Sequence, residues 1–317
     1  MRARAKIFID GAAGTTGLEI RERLAGRAEL DLVVLPDAQR KDADARKTAL
    51  NGADVVILCL PDEAAREAVS LIDNPSVKVI DASTAFRTAP GWTYGFAELE
   101  PDGYAKIAAA TRVSNPGCWA TGFLAIVRPL VRAGLLPADF PVTANGISGY
   151  SGGGKAMIAE FEDKASADYT ETVARLYALG LTHKHIPEMT AHSGLAHPPL
   201  FEPGVGRFYR GMLVEVPLQL WALPGKPGPR DVHAALGRAY PDRPLVKVAS
   251  LEDAGAVKKL DAEILAGSNG LTLYAFGNEK AQQARVVAAF DNLGKGASGA
   301  AVQNLNIMLG LPETTGL

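Results

Sequence analysis

The sequence predicts an α/β chain in two parts: a doubly wound parallel-sheet domain, then an α+β domain with a mixed or antiparallel sheet. Three observations predict it. The first third alternates short apolar strands with helix-like stretches, the pattern of a parallel sheet covered on both faces. Residues 54–60, DVVILCL, form one continuous apolar run, as a strand buried on both faces requires. After about residue 140, several segments alternate apolar and polar residues instead, the signature of strands with one wet face.

Taken in order, residues 6–10 read as the first strand, 11–17 as a glycine loop and 18–25 as a helix. Strands follow at 31–35 and 54–60. Pro61-Asp62 opens a helix that runs to 72, and 77–81 is the next strand. Residues 106–113 look strand-like and lead through the turn signal Asn115-Pro116-Gly117 into an apolar helix over 123–131. The second part offers strands at 141–148, 210–220, 270–276 and 284–292, and helices at 155–165 and 232–239. Residues 224–229 (PGKPGP) are a loop, and 298–309 a closing helix.

The 317 residues suit two domains. A net charge of −2 without a Lys/Arg stripe argues against a nucleic-acid partner. No apolar run approaches the ~20 residues of a membrane span. Arg2, Arg4 and Lys6 precede only Ile7-Phe8-Ile9 before Asp10, too little for a signal peptide. Two cysteines, Cys59 and Cys118, make no disulfide framework, so a reducing cytoplasm is expected.

The loop Gly11-Ala12-Ala13-Gly14-Thr15-Thr16-Gly17 lies between the first strand and the first helix. Glycines let a backbone turn sharply and approach a pyrophosphate, and the helix start supplies N–H donors. Gly11, Ala13, Gly14, Thr15, Thr16 and Gly17 are therefore cofactor-binding candidates for a nicotinamide dinucleotide. Asp37 stands where an acid binds the ribose of NAD, whereas Arg40 and Lys41 suit the 2′-phosphate of NADP. The reading favours NADP.

Cys118 follows Pro116-Gly117 at the first turn of a helix, where a thiolate faces unpaired N–H groups and the positive end of the dipole. Cys59, inside an apolar strand, reads as a core residue. A thiolate nucleophile needs an imidazole partner. His183 and His185 are separated by one residue and share a face if the segment is extended. Glu188 is placed to orient one of them. A metal site is not expected, because no cysteine lies near and the spacing matches no zinc pattern. Gly149-Tyr150-Ser151-Gly152-Gly153 fits the hydrolase elbow, and residues 149–155 fit a P-loop except that Ala156 replaces its Ser/Thr. Both matches leave the N-terminal loop and Cys118 unexplained. The turn reads instead as an anion site, with Ser151 and Lys155 as substrate-binding candidates.

Together, GAAGTTG (11–17), DASTAFR (81–87), SNPGCWATG (114–122), SGYSGGGK (148–155), HKHIPEM (183–189) and DNLGKGASGAAVQN (291–304) give the chain a resemblance to one family. It resembles the short-type N-acetyl-γ-glutamyl-phosphate reductases of arginine biosynthesis, and more distantly aspartate-semialdehyde dehydrogenases. The resemblance implies NADPH-dependent reduction of an acyl phosphate through a thioester on Cys118, with His183 matching the base and His185 helping to hold the thiolate. It further implies that Arg87 and Glu188 bind substrate and that Pro61, Ser83, Asn292 and Gly296 lie on the cofactor side. Phe86 departs from the His expected in many short-type members. Residues 1–117 with 294–317 are expected to form the dinucleotide domain, and 118–293 the catalytic and dimerisation domain of a homodimer or homotetramer. The rival readings are a reductase of another acyl phosphate and a non-redox cysteine hydrolase or acyltransferase.

Overall fold

A computed structural model describes residues 4–40 and 42–317. The chain divides into two compact units, one holding residues up to 97 with 102–116 and 297–317, the other holding 98–101 and 117–296.

The first unit is built on a six-stranded parallel sheet. Its elements are β1 (Ala5–Asp10), α1 (Thr15–Leu24), β2 (Leu30–Val33), α2 (Ala43–Gly52), β3 (Val55–Leu58), α3 (Asp62–Ser70), β4 (Lys78–Asp81), β5 (Thr93–Tyr94), α4 (Gly103–Ala109) and β6 (Arg112–Ser114). The order is β2-β1-β3-β4-β6-β5, every neighbouring pair parallel. Chain direction across the sheet reverses at β1 and β3, so the crevice beyond their carboxyl ends is a topological switch point. All four residues of β3 are buried, which explains the continuous apolar run. Residues 106–113, expected as a strand, are mostly the end of α4, and only Arg112–Ser114 pairs in the sheet. The alanine-rich part, 106–110, favours helix and buries only Ile107 fully, while Val113 enters the core from β6.

The second unit opens with α5 (Cys118–Arg132) and continues through β7 (Thr143–Gly149), α6 (Gly154–Glu162), β8 (Ala174–Leu176), α7 (Ile186–Ser193), β9 (Leu200–Gly206), β10 (Met212–Gln219), α8 (Pro229–Ala239), β11 (Val246–Val248), α9 (Leu251–Ala256), β12 (Leu271–Asn278) and β13 (Gln283–Phe290). Its seven strands form a mixed sheet in the order β11-β12-β13-β10-β7-β9-β8. The pairs β11·β12 and β7·β9 are parallel and the others antiparallel. Helix α5 lies directly on this sheet: a Cβ at Gly122 would stand 2.6 Å from Val214 and 2.8 Å from the Phe290 ring. That contact fixes the height of the helix over β10 and β13. The last helix, α10 (Gly299–Leu309), returns to the first unit with every residue but Leu309 buried. Among the described residues, no helix is long and apolar enough to cross a membrane.

Candidate active site

Asn115, Pro116 and Gly117 turn the chain after β6, and α5 begins at Cys118. Gly117 is the N-cap in an extended conformation (φ −81°, ψ 150°), with no side chain capping the helix. The thiol therefore sits among the first-turn N–H groups of a 15-residue helix, at the positive end of its dipole. The N–H of Gly117 donates to Glu188 Oε1 at 2.8 Å, and Glu188 is buried.

A cavity of about 190 Å³ opens beside Cys118, with Tyr177, His183, Lys184, His185 and Gly152 among its walls. The two imidazoles do not share the face of an extended strand. His185 is the N-cap of α7 with helical dihedrals (φ −86°, ψ −15°), so a turn, not strand alternation, brings the rings to 4.9 Å at 67°. The driving feature is the start of α7, with Pro187 at its second position and Glu188 in its first turn. The backbone N–H of His185 donates to Nδ1 of His183 at 3.2 Å, which puts the ring proton of a neutral His183 on Nε2. His185 itself is buried.

Tyr177 is a site residue that sequence reasoning missed. It lies just past β8, and its ring centroid is 5.8 Å from that of His183. Burial, and then the charge on Cys118, push its phenol well above the ordinary value, against a hydrogen bond with Trp119. It remains an O–H group at neutral pH.

The glycine turn after β7 contributes Gly149, Gly152 and Gly153 to the cavity wall. Ser151 is not in that wall. It is buried, and its hydroxyl accepts from Asn292 Nδ2 at 2.9 Å. Asn292 also accepts the Gly211 N–H at 2.9 Å, so its side chain braces the protein interior. Lys155 stands exposed at the start of α6. Gly296 packs on the nucleophile candidate itself: a Cβ there would lie 2.8 Å from Cys118 Cβ.

The remaining candidates lie in the first unit. Gly11 has φ +88°, and a Cβ there would sit 2.3 Å from the Cys59 carbonyl oxygen. At Gly17 a Cβ would meet the Gly11 oxygen at 2.4 Å. These two glycines are demanded by the loop's own packing. Gly14 is different: its Cβ would meet nothing nearer than 3.5 Å, yet it is the N-cap of α1 with no capping side chain. A bare N-cap that the protein does not need for packing suits the close approach of a pyrophosphate, with Thr15 and Thr16 on the first turn. The residues present thus fit a dinucleotide. Arg21 and Arg40 line a hollow against Gly11 and the end of β2, where the one acid among the described residues, Asp10, is already paired with Arg46 at 2.9 Å. Ala13 lies in the loop. Lys41 and the side chain of Asp37 fall outside the described residues.

Pro61 is the N-cap of α3. Ser83 donates its hydroxyl to Asp81 at 2.7 Å, and Arg87 donates to the carbonyls of Asn115 (3.1 Å) and Ala82 (3.3 Å). Phe86, the departure from the family pattern, stacks on Trp92 at 4.1 Å with Arg66 over its ring, a packing role.

The model of the semialdehyde dehydrogenase dimerisation domain matches residues 118–292, and that of the semialdehyde dehydrogenase NAD binding domain matches 6–107. N-acetyl-gamma-glutamyl-phosphate reductase 2 of Nostoc sp. is 53% identical over 323 residues, covering 99% of each chain. The Brucella ovis N-acetyl-gamma-glutamyl-phosphate reductase is 52% identical over 308 residues, 97% of this chain and 99% of that one. Among solved structures, aspartate semialdehyde dehydrogenase II of Vibrio cholerae superposes with a TM-score of 0.72 at 16% identity, over 96% of this chain and 98% of that one. The Candida albicans aspartate semialdehyde dehydrogenase with NADP gives 0.66 at 14%, over 96% and 98%. The structural likeness fixes the fold alone. Identity above one half over nearly the whole length fixes more: the chain belongs to the N-acetyl-γ-glutamyl-phosphate reductase family, oxidoreductases built on the semialdehyde dehydrogenase plan.

Proposed function

We propose that this chain reduces N-acetyl-γ-glutamyl phosphate to N-acetylglutamate semialdehyde and phosphate, in arginine biosynthesis, through a thioester on Cys118. The observation that carries this reading is Cys118 at the uncapped start of α5, in one cavity with His183 and His185. The Cys118 thiolate attacks the acyl carbon, and the phosphate leaves with the bonding electron pair. Because His183 spends Nδ1 on a backbone N–H, its Nε2–H is a donor to the oxygen where charge develops. On this reading His185, and not the expected His183, takes the Cys118 proton. A nicotinamide dinucleotide held at the Gly11–Gly17 loop would supply the hydride that reduces the thioester. The oxyanion so formed collapses, breaking the C–S bond to give the aldehyde and the thiolate again. The first-turn N–H groups of α5 and the phenol of Tyr177 support that oxyanion. Glu188 holds the residue before Cys118. Arg87, Ser151 and Lys155 are the substrate-side candidates, of which only Lys155 is exposed.

We propose NADPH as the reductant, because the hollow at the end of β2 presents Arg21 and Arg40 and no unpaired acid among its described residues. The candidate cofactor contacts are Gly11, Ala13, Gly14, Thr15, Thr16, Gly17, Pro61, Ser83, Asn292 and Gly296 with Arg40 and Lys41. The proposed assembly is a homodimer or homotetramer, and the match to a dimerisation domain supports pairing of two chains. Two cysteines that form no disulfide suit a reducing cytoplasm. The test is phosphate-dependent oxidation of N-acetylglutamate semialdehyde with NADP⁺, then NAD⁺, with aspartate semialdehyde as the rival substrate. Faster turnover of aspartate semialdehyde overturns the substrate, and no phosphate dependence overturns the reaction.

A further inference from the structure

We infer that the buried ion pair between Glu98 and Lys295 is a positioning element for Cys118, holding the turn whose Gly296 packs against the nucleophile. The inference rests on the reading of Cys118 as the nucleophile and adds residues that chemistry at Cys118 does not itself require.

Lys295 Nζ donates to both carboxylate oxygens of Glu98, at 2.7 and 2.8 Å, with the side chains 2% and 0% exposed. Burying two full charges carries a desolvation cost of several kcal/mol per ion, and an apolar pair of the same volume is commonly as stable. A pair of this kind therefore calls for a reason other than stability. Its location supplies one. Lys295 lies in the π-helical turn Gly294–Ser298, a backbone form that is rare and recurs at functional sites. The next residue, Gly296, leaves no room for a Cβ: one would lie 2.8 Å from Cys118 Cβ and 3.2 Å from the Asp291 oxygen.

The other end of the pair reaches the same helix by a second route. Glu98 begins the short segment 98–101, whose Glu100 binds Arg128 at 2.5 Å and Arg132 at 3.2 Å, both on α5. Segment 98–101 thus grips the helix that Cys118 opens and, through Glu98, the turn that abuts Cys118. The turn is braced from behind as well. Asp291 accepts the N–H groups of Leu293 (2.8 Å) and Gly294 (3.1 Å) through Oδ1, and Arg210 Nε (2.5 Å) through Oδ2. Asp291 fixes where the turn starts; Lys295 fixes how far it advances toward Cys118. Neutralising the pair leaves the start in place and lets the advance relax.

The test is the double variant E98Q/K295M, which keeps approximate volume and removes both charges, with E98Q alone beside it. Both are assayed as the full chain with N-acetylglutamate semialdehyde, phosphate and NADP⁺, at least 20 °C below their own Tm. The expected result is a cooperative melt, a KM for the semialdehyde within about two-fold of the parent and a kcat reduced at least about ten-fold in the double variant, since misplacement near 1 Å costs up to 10²-fold. A folded double variant with parental kcat overturns the inference. So does a kcat loss matched by a proportionate rise in KM, or failure of both variants to fold, which assigns the pair to stability alone. Cys118→Ser is run in parallel: if it turns over like the parent, the nucleophile reading has failed rather than the positioning role.

Discussion

Glu188 accepts the Gly117 N–H at 2.8 Å, so the first turn of α7 is tied directly to the residue that caps α5. Cys118 is the next residue along α5 and His185 caps α7. One buried hydrogen bond therefore sets the register between thiol and imidazoles. Glu188→Ala leaves a buried N–H without its partner, a loss of about 1–3 kcal/mol. It should lower stability in urea melts by that amount and cut kcat at least about ten-fold. Glu188→Gln, which keeps an acceptor, should retain most of the stability. Parental kcat in a folded Glu188→Ala would remove Glu188 from the site.

The two thiols should behave differently. Burial, and then the carboxylates of Asp81 and Asp10, push the Cys59 thiol up to about 12. At pH 8 it is a thiol, and alkylating agents should ignore it. Iodoacetamide should add one equivalent per chain, at Cys118, and abolish turnover. Cys118→Ala should take up no label, lose at least about 10³-fold in kcat and still bind NADPH. Labelling at Cys59 in the native protein, read by peptide mass, contradicts this.

Asp81, at the end of β4, is fully buried, and burial is the main cause that lifts its carboxyl to about 6, opposed by the Ser83 hydrogen bond and by Arg87. A carboxyl raised above its unfolded value near 3.8 favours the folded state while protonated. Its contribution is present below about pH 4 and is lost as pH rises through about 6, an amount on the order of 2–3 kcal/mol. Denaturant melts between pH 4 and 7 should show this downward component. Asp81→Asn should flatten it, whatever its absolute stability. An unchanged slope in the variant means that another group titrates.

Gly14 and Gly17 separate packing from binding. Gly17→Ala drives a Cβ to 2.4 Å from a backbone oxygen that cannot move aside, and should destabilise the chain by more than about 1 kcal/mol. Gly14→Ala meets nothing nearer than 3.5 Å and should leave the Tm within a few degrees while weakening NADPH at least about ten-fold. Calorimetry with fluorescence titration checks both. Tight NADPH binding by Gly14→Ala would move the pyrophosphate elsewhere.

Much of this architecture is legible in the sequence because it is written locally. The apolar run 54–60 and the strand–glycine–helix order declare the parallel sheet, and Asn-Pro-Gly before an apolar helix declares the position of Cys118. What is not legible depends on partners far apart in the chain. Nothing near residue 98 says that Glu98 is buried on Lys295. Tyr177 follows a three-residue edge strand with no periodicity to place it. The histidines were readable as a cluster but not in conformation: Pro187 near a helix start was the available signal for α7. The bond from Asn292 to the buried Ser151 hydroxyl is likewise unwritten in the glycine turn, because its partner lies 141 residues away.

The proposed preference for NADPH is tested at Arg40. It lines the hollow at the end of β2 with Arg21, while Asp10 there is neutralised by Arg46. A guanidinium hydrogen-bonded to a 2′-phosphate contributes about 1.5–3 kcal/mol, or roughly 10- to 100-fold in affinity, and nothing toward a ribose hydroxyl's charge. Arg40 is exposed, so solvent screening moves the expectation to the lower end. Arg40→Ala should therefore raise the KM for NADP⁺ about ten-fold and leave that for NAD⁺ within two-fold. The selectivity should also shrink with added salt, and less steeply in the variant, which has one cation fewer beside the phosphate. Equal loss of both cofactors would place Arg40 in the architecture of the loop rather than at the 2′-phosphate.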